Sequence, residues 1–147
     1  MDVVNSKTRS LMMAGIKSKD TRPELIVRRF IHSNGFRYRV HDPRLPGKPD
    51  LVMAKFGLVV FVDGCFWHRH QSCRYTTSPQ KNGRRWQEKF EQNVLRDSRQ
   101  RKQLLELGWR VLVIWECGLK QPKPDLSWLP NFIKTSQKPF EEWPAIA

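Results

Sequence analysis

Acidic residues and cysteines are few in this 147-residue chain, and long hydrophobic runs are absent. The longest apolar runs, residues 58–62 and 111–115, have the length of strands and fall far short of the ~18 apolar residues of a membrane span. The start of the chain has no hydrophobic signal region, which predicts a cytoplasmic protein without a membrane anchor. Three cysteines cannot all pair with one another, so a disulfide framework is not expected.

The shortage of acidic residues leaves the chain strongly basic. Lys and Arg number 27 against 14 Asp and Glu, which gives a formal net charge of +13. An excess of this size predicts a polyanionic partner, most simply nucleic acid. A basic, solvated surface without such a partner is the alternative. The length predicts one domain with a sizeable core.

The first half of the chain predicts one helix followed by three strands. Thr21 and Glu24 form a T-x-x-E capping box that begins the helix, and Asn34-Gly35 ends it. Apolar residues that alternate from position 36 to 40 predict the first strand. Residues 51–54 and 58–62 flank the turn 55–57 and predict a hairpin.

The second half predicts a long helix, a further buried strand and an irregular tail. The helix covers residues 84–107, and its expected inward residues are Trp86, Phe90, Val94, Leu104 and Leu105. The strand covers residues 109–115 and completes the order αβββαβ, an α/β fold with a mixed central sheet flanked by helices. The last 26 residues hold five of the ten prolines and show no clear periodicity.

The hairpin predicts a carboxylate beside the most reactive segment of the sequence, residues 63–73. If the turn centres on Phe56, Asp50 lies opposite Val62, where that segment begins. A carboxylate at a sheet edge, beside backbone carbonyls, can hold a hard cation such as Mg²⁺. Asp63 faces the other side of the sheet in this register and is the weaker candidate. A turn-capping aspartate is the alternative interpretation of Asp50.

Sulfur and imidazole side chains form a second group. Cys65, His70 and Cys73 lie close together in the sequence, and Cys117 follows the last buried strand. Three thiolates and one imidazole make a closed tetrahedral set that suits a structural Zn²⁺ and uses every cysteine. Three separate buried cysteines are the alternative, because C-x4-H-x2-C is not a common finger spacing.

His68 lies between these residues and can act as a general base, since an imidazole titrates near neutrality. Asp97 on the long helix can orient that imidazole through a hydrogen bond. A structural histidine, an alternative Zn²⁺ ligand and a helix salt bridge at Asp97 are the competing interpretations. Phe66 and Trp67 belong either to the core or to wedges that enter a base stack. Phosphate contacts are expected from the basic residues nearby, Lys81, Arg84, Arg85, Lys89, Arg96, Arg99, Arg101 and Lys102.

Three motifs, LPGKPD at residues 45–50, VFVDGCFWH at 60–68 and GWRVLVIWEC at 108–117, resemble the very short patch repair endonucleases. Residues 21–25 and 86–97 also fit, so the resemblance spans about residues 5–119. It implies a restriction-endonuclease-like fold and an enzyme that nicks DNA on the 5′ side of the thymine in T:G mismatches. Such mismatches arise when 5-methylcytosine deaminates, and family members typically accompany a cytosine-5 DNA methyltransferase.

The resemblance also implies roles for individual residues. Asp50 and the backbone carbonyl of Val62 correspond to Mg²⁺ ligands, and His68 corresponds to the general base. Glu24 and Asp97 correspond to supporting acidic residues, although the capping box explains Glu24 without any catalysis. The implied Zn²⁺ ligands are Cys65, His70, Cys73 and Cys117. The implied DNA contacts are Met13, Phe66, Trp67 and Trp86.

The resulting hypothesis is a Mg²⁺-dependent, strand-specific endonuclease that acts as a monomer on duplex DNA in the bacterial cytoplasm, associated with the nucleoid when bound. Its expected parts are a DNA-contacting arm at residues 1–20, an endonuclease domain at 21–119 and a tail at 120–147. Functional links to a cytosine-5 DNA methyltransferase and to mismatch-repair proteins are expected. The alternatives are a nuclease that cuts matched DNA, a zinc-stabilised DNA-binding module without catalysis and a basic interaction domain.

Overall fold

Residues 20–144 are described by the computed structural model of the chain, and Met13 lies outside them. The first helix follows Thr21, whose Oγ1 accepts a hydrogen bond from the backbone N–H of Glu24. In chain order the elements are α1 (Arg22–Ser33), β1 (Arg39–Val40), β2 (Leu51–Met53), β3 (Leu58–Asp63), α2 (Gly83–Glu106), β4 (Arg110–Trp115), α3 (Leu129–Thr135) and β5 (Phe140–Trp143). The predicted order αβββαβ is confirmed as far as β4.

The strands form one five-stranded sheet in the order β1-β2-β3-β4-β5. The pairs β1–β2 and β2–β3 are antiparallel, whereas β3–β4 and β4–β5 are parallel. Side chains of β3 and β4 are buried on both faces, which explains why these strands are continuous apolar runs. Because β3 and β4 are parallel, the segments that follow them leave the sheet at the same edge.

Helices cover both faces of the sheet. On one face, Val27 and Ile31 of α1 and Leu129 and Ile133 of α3 pack in the same cluster as Val60 of β3. On the other face, Leu104 of α2 packs in a second cluster with residues of β3 and β4. The alternation within each central strand therefore separates two apolar layers, and α2 packs on the second layer together with residues of the reactive segment, among them Cys65 and Cys73.

The hairpin register differs by one residue from the prediction. Leu51 pairs with Val60, so Asp50 stands opposite position 61 rather than Val62. The connection is a 3₁₀ turn, Ala54–Phe56, followed by Gly57 in the left-handed region at φ 60°. The hairpin is therefore centred between Lys55 and Phe56 rather than on Phe56. This shifts every pair of facing residues in the two strands by one position. The Asp50 side chain still reaches Val62, because its Oδ2 accepts the Val62 N–H at 2.6 Å.

The prediction of an irregular tail is wrong. Leu129–Thr135 is a helix and Phe140–Trp143 is a strand that pairs with β4 in parallel. The strand reads Phe-Glu-Glu-Trp, which lacks apolar alternation, so its pairing with β4 rather than its own pattern makes it a strand. Val94 was also predicted inward and is 43% exposed, since it borders an open cleft of about 420 Å³ between α2 and β5.

Among residues 20–144, no helix combines the length and apolar character that crossing a bilayer requires.

Gly118→Ala should destabilise the attachment of β5. A Cβ at this position lies 2.6 Å from Cζ3 of Trp143 and 2.9 Å from Cγ of Pro144, closer than nonbonded carbons approach. We expect the free energy of unfolding to fall by about 1–3 kcal/mol in urea denaturation. Gly83→Ala is the matched control, because nothing lies within 4 Å of its added Cβ. Equal unfolding free energies for the two variants would contradict this packing.

Candidate active site at the sheet edge

The reactive segment follows β3 directly and lies against α2. His68 N–H donates to the carbonyl of Gly64 at 3.1 Å, and the Asn93 side chain of α2 donates to the carbonyl of Trp67 at 3.2 Å. Asp97 lies one helical turn beyond Asn93, so its carboxylate reaches the same loop. His68 Nδ1 lies 2.5 Å from Asp97 Oδ2. The predicted pairing of His68 with Asp97 is therefore present in the structure.

The electrostatic surroundings of His68 favour its protonated form. Burial lowers the pKa of His68, but the charge of Asp63 and the hydrogen bond and charge of Asp97 outweigh burial and raise it above its ordinary value. Arg101 acts in the opposite direction. Because Nδ1 donates to Asp97, Nε2 is the ring nitrogen that can accept a proton once the imidazole is neutral.

Asp63 belongs to this group, although the sequence made it a weak candidate. Its side chain is 3% exposed, forms an ion pair with Arg101 of α2, and lies 3.9 Å from His68 Nδ1. The Arg101 guanidinium also lies over the ring of Phe61, 4.9 Å from its centroid. Asp63 therefore acts on His68 by its charge, while Arg101 compensates part of that charge.

A second acidic group lies where β1, β2 and the start of α1 meet. Glu24 is 1% exposed; its Oε2 accepts the Asp20 N–H at 2.9 Å and also pairs with Arg28. His41 Nε2 lies 3.1 Å from Glu24 Oε1 and 3.8 Å from Asp50 Oδ1. The capping box is thus only half formed, because the Glu24 side chain serves these contacts instead of the Thr21 N–H.

Crowding of carboxylates in this group changes their titration. Burial, a hydrogen bond with Glu24 and the charges of Glu24 and Asp63 raise the pKa of Asp50 to about 9, against the N–H of Val62, which lowers it. Burial raises the pKa of Glu24, but its hydrogen bonds with Asp50, His41, Asp20 and Arg28 prevail and lower it. Two close carboxyl groups can bind a cation in exchange for the proton that one of them holds.

The sulfur and imidazole side chains of the reactive segment come together with Cys117, which follows β4. His70 Nδ1 lies 3.7 Å from Cys65 Sγ and 3.5 Å from Cys117 Sγ, and one ligand atom from each of these residues and Cys73 falls within 4.8 Å of the others. The imidazole stacks on Trp115 with a centroid separation of 4.2 Å. Although His70 and Cys117 are far apart in the sequence, the parallel strands β3 and β4 bring them to one place.

The aromatic residues form a half-buried ledge next to His68. Phe66 and Trp67 contact edge to face at 5.0 Å, and both lie within 6.1 Å of Trp86. Phe90 is buried beneath them and stacks on Trp86 at 5.6 Å. Phe66, Trp67 and Trp86 keep part of their surface exposed, so they are neither core residues nor free side chains.

The sequence did not single out Arg28 and His41, and it indicated Arg101 for DNA phosphate or for a helix salt bridge with Asp97. Arg28 follows Glu24 at the i,i+4 spacing of a helical ion pair, which is a readable signal. Arg101 follows Asp97 at the same spacing, but its partner Asp63 is 38 residues away, so only the tertiary fold shows that pair. His41 directly follows β1, where its proximity to Asp50 depends on the strand pairing.

Comparison with known proteins identifies the family. A profile described as "DNA mismatch endonuclease Vsr" matches residues 1–74. The DNA mismatch endonuclease Vsr of Escherichia coli is 42% identical over 119 residues, which cover 81% of this chain and 76% of that protein. This chain belongs to the Vsr family. Membership makes it a DNA endonuclease, and it confirms the family resemblance drawn from the motifs.

Vsr relatives from other bacteria carry a different name. The type II nicking enzyme V.NmeAIP of Neisseria meningitidis is 44% identical over 119 residues, covering 81% of this chain and 84% of that protein. The type II nicking enzyme V.XorIIP of Xanthomonas oryzae is 44% identical over 118 residues, covering 80% and 86%. The similarity therefore extends over most of each chain.

Asp97→Asn should lower the pKa of His68, because it removes the charge and weakens the hydrogen bond that stabilise the imidazolium. The measurement is a pH titration of the imidazole signals by two-dimensional NMR of the purified chain. Asp125→Asn, at an exposed position, is the control and should leave the titration of His68 unchanged. An unchanged or higher pKa in Asp97→Asn would contradict the pairing.

Proposed function

We propose that this chain nicks one DNA strand on the 5′ side of the thymine in T:G mismatches, by hydrolysis of a single phosphodiester assisted by Mg²⁺. The observation that carries the proposal is the arrangement of three groups in one place: the His68–Asp97 pair, the Asp50 carboxylate at the sheet edge and the aromatic ledge. Mismatch-directed cleavage needs a general base, a cation site and side chains that deform the duplex. The His68–Asp97 pair, the Asp50 carboxylate and the aromatic ledge would supply these in that order.

His68 is the proposed general base. Asp97 holds Nδ1, so Nε2 takes the proton of the attacking water and Asp97 stabilises the imidazolium that forms. Asp63 adds negative charge beside the ring, and Arg101 limits that charge. Since the pKa of His68 is raised, the neutral form becomes abundant only as the pH rises past the ordinary value of 6.5. Activity should therefore increase with pH across this range.

Asp50 and the backbone carbonyl of Val62 are the proposed cation ligands. In an extended strand the N–H and C=O of one residue point to the same side, so the Val62 N–H bond to Asp50 directs its carbonyl toward the same carboxylate. These two groups would hold a divalent cation, which would supply positive charge to stabilise the negative charge that develops on the phosphate. Glu24 shares a proton with Asp50 in the free site, and a bound cation would displace that proton to water, which gives Glu24 the supporting role that the family resemblance implies.

The aromatic ledge is the proposed mismatch probe. Phe66, Trp67 and Trp86 would insert between base pairs, and a mismatched step costs less to unstack than a matched one. Lys89 Nζ lies 5.4 Å from the centroid of the Trp67 ring and 5.9 Å from that of the Trp86 ring. Its ammonium group can therefore contact a DNA phosphate next to the aromatic ledge. Met13 is proposed as a further DNA contact from the N-terminal arm, residues 1–20.

The cysteine–histidine group fits a structural Zn²⁺. Ligands placed about 2.3 Å (sulfur) and 2.0–2.1 Å (nitrogen) from a tetrahedral zinc are themselves about 3.6 Å apart. The distances from His70 Nδ1 to Cys117 and Cys65, 3.5 and 3.7 Å, match this separation. Four protein ligands leave no open position for water, so this metal would join the reactive segment to the end of β4 rather than take part in hydrolysis.

The remaining parts of the proposal concern architecture and partners. The mixed sheet with helices on both faces supports a restriction-endonuclease-like fold, in which residues 21–119 contain the nuclease. We propose a monomer that acts on double-stranded DNA in the bacterial cytoplasm. A cytosine-5 DNA methyltransferase and mismatch-repair proteins are its proposed functional associates, because deamination of 5-methylcytosine is the source of the T:G substrate.

A strand-specific nicking assay tests the activity. On a duplex with one T:G mismatch and Mg²⁺, we expect a nick 5′ of the mismatched thymine, and a chelator should abolish it. His68→Ala should lower kcat by about 10²–10⁴-fold. Asp50→Asn should abolish nicking but keep DNA binding, and the exposed Asp125→Asn should behave as wild type.

The same assay separates the alternatives. Equal cleavage of a fully matched duplex would overturn the mismatch specificity and favour a nuclease for matched DNA. Mismatch binding without any cleavage would instead favour a DNA-binding module without catalysis.

His70→Ala should remove the bound zinc. The purified chain is expected to carry one zinc per molecule, and loss of one of four ligands should weaken binding by more than about 100-fold. Zinc affinity is measured by competition with a chromophoric chelator, together with the thermal unfolding midpoint, which should fall as well. His68→Ala is the control and should keep the zinc. Wild-type zinc affinity in His70→Ala would assign the fourth ligand elsewhere.

A further inference from the structure

His41 belongs to the acidic group at the sheet edge because of the strand register. In the β1–β2 pair Val40 stands opposite Leu51, so His41 stands opposite Asp50. The backbone confirms this position, since His41 N–H donates to the carbonyl of Asp50 at 3.3 Å. The backbone of His41 has φ 47°, in the left-handed region, where histidine is one of the more tolerated residues. These constraints hold its imidazole over Glu24 and Asp50.

Both carboxylates of this group are held by protein donors and also lie close to His41. Asp50 Oδ2 is held by the Val62 N–H, whereas Oδ1 lies 3.8 Å from His41 Nε2. Glu24 Oε2 is held by the Asp20 N–H and Arg28, and both of its oxygens lie close to the same nitrogen, Oε1 at 3.1 Å and Oε2 at 3.0 Å. Oxygens of both carboxylates and one imidazole nitrogen therefore lie together at the edge of the site.

The separations suit ligands of a single cation. Two atoms about 2.1 Å from a cation in neighbouring octahedral positions lie about 3 Å apart. The contact between Glu24 and His41 has this length, and that between His41 and Asp50 is somewhat longer. Asp50 thus borders two cation positions, one beside the Val62 carbonyl and one beside Glu24 and His41.

We propose that His41 is a nitrogen ligand of a divalent cation held together with Glu24 and Asp50, and that it makes this position prefer Mn²⁺ to Mg²⁺. Mg²⁺ strongly favours oxygen ligands and retains its water, whereas transition-metal ions accept imidazole readily. This inference rests on the proposed cation-dependent nuclease function and adds a second cation position, with its own preference, beside the proposed Mg²⁺ position.

The test measures cation binding without DNA. Mn²⁺ binding to the full chain, with its zinc site filled, is followed by electron paramagnetic resonance of free Mn²⁺, and Mg²⁺ affinity by competition. We expect His41→Gln to weaken Mn²⁺ binding by about 10–100-fold while Mg²⁺ affinity changes by less than about threefold. His32→Gln, an exposed histidine of α1, is the matched control and should bind both cations as wild type.

The outcomes distinguish this inference from the proposed function. Wild-type Mn²⁺ affinity in His41→Gln, with an unchanged thermal unfolding midpoint, overturns the ligand role of His41 and leaves T:G nicking untouched. If His41→Gln unfolds at a lower temperature, His41→Asn provides the second variant under the same criterion. Mn²⁺ binding that depends on His41 in a chain that does not nick T:G duplexes supports the inference and overturns the proposed function.

Discussion

The parallel pairing of β3 with β4 is the constraint on which the rest of the site depends. The two strands run in register from Leu58 and Arg110 to Asp63 and Trp115, so they end side by side. The reactive segment leaves β3 at the point where Cys117 follows β4. As a result, His70 stacks on Trp115, and its Nδ1 lies 3.5 Å from Cys117 Sγ, close enough for both atoms to bind one metal ion. A metal bound by these residues would stabilise an arrangement that the strand pairing has already created.

Helix α2 supplies the opposite wall of the site from one of its faces. Trp86, Phe90, Asp97 and Arg101 are spaced by four, seven and four residues, which places them on one side of an α-helix. Along that side the chemistry changes from aromatic, to a carboxylate that holds His68, to a guanidinium that pairs with Asp63. The step from Trp86 to Asp97 corresponds to about 16 Å of helix axis. The proposed wedge and the proposed base are therefore fixed at a set separation by one rigid element.

Charge is distributed unevenly between the whole chain and the site. The chain carries a formal net charge of +13, whereas the sheet edge gathers the carboxylates of Glu24, Asp50, Asp63 and Asp97. The long-range field attracts a polyanion, but a phosphate next to these carboxylates would be repelled. The proposed cations, together with the nearby arginines, would remove that repulsion. A basic protein with an acidic centre thus suits a substrate whose reacting group is itself negative.

The sequence by itself determined the basic charge, the capped helix α1, the two apolar central strands and the candidate residues of the reactive segment, because each depends on composition or on local periodicity. The one-residue shift of the hairpin, the Asp63–Arg101 ion pair, the position of His41 opposite Asp50 and the strand β5 were decided only by the tertiary structure. In each of these cases the partner lies elsewhere in the chain or the turn geometry sets the register. Local pattern identifies which residues are reactive, whereas strand pairing and helix packing decide which of them meet.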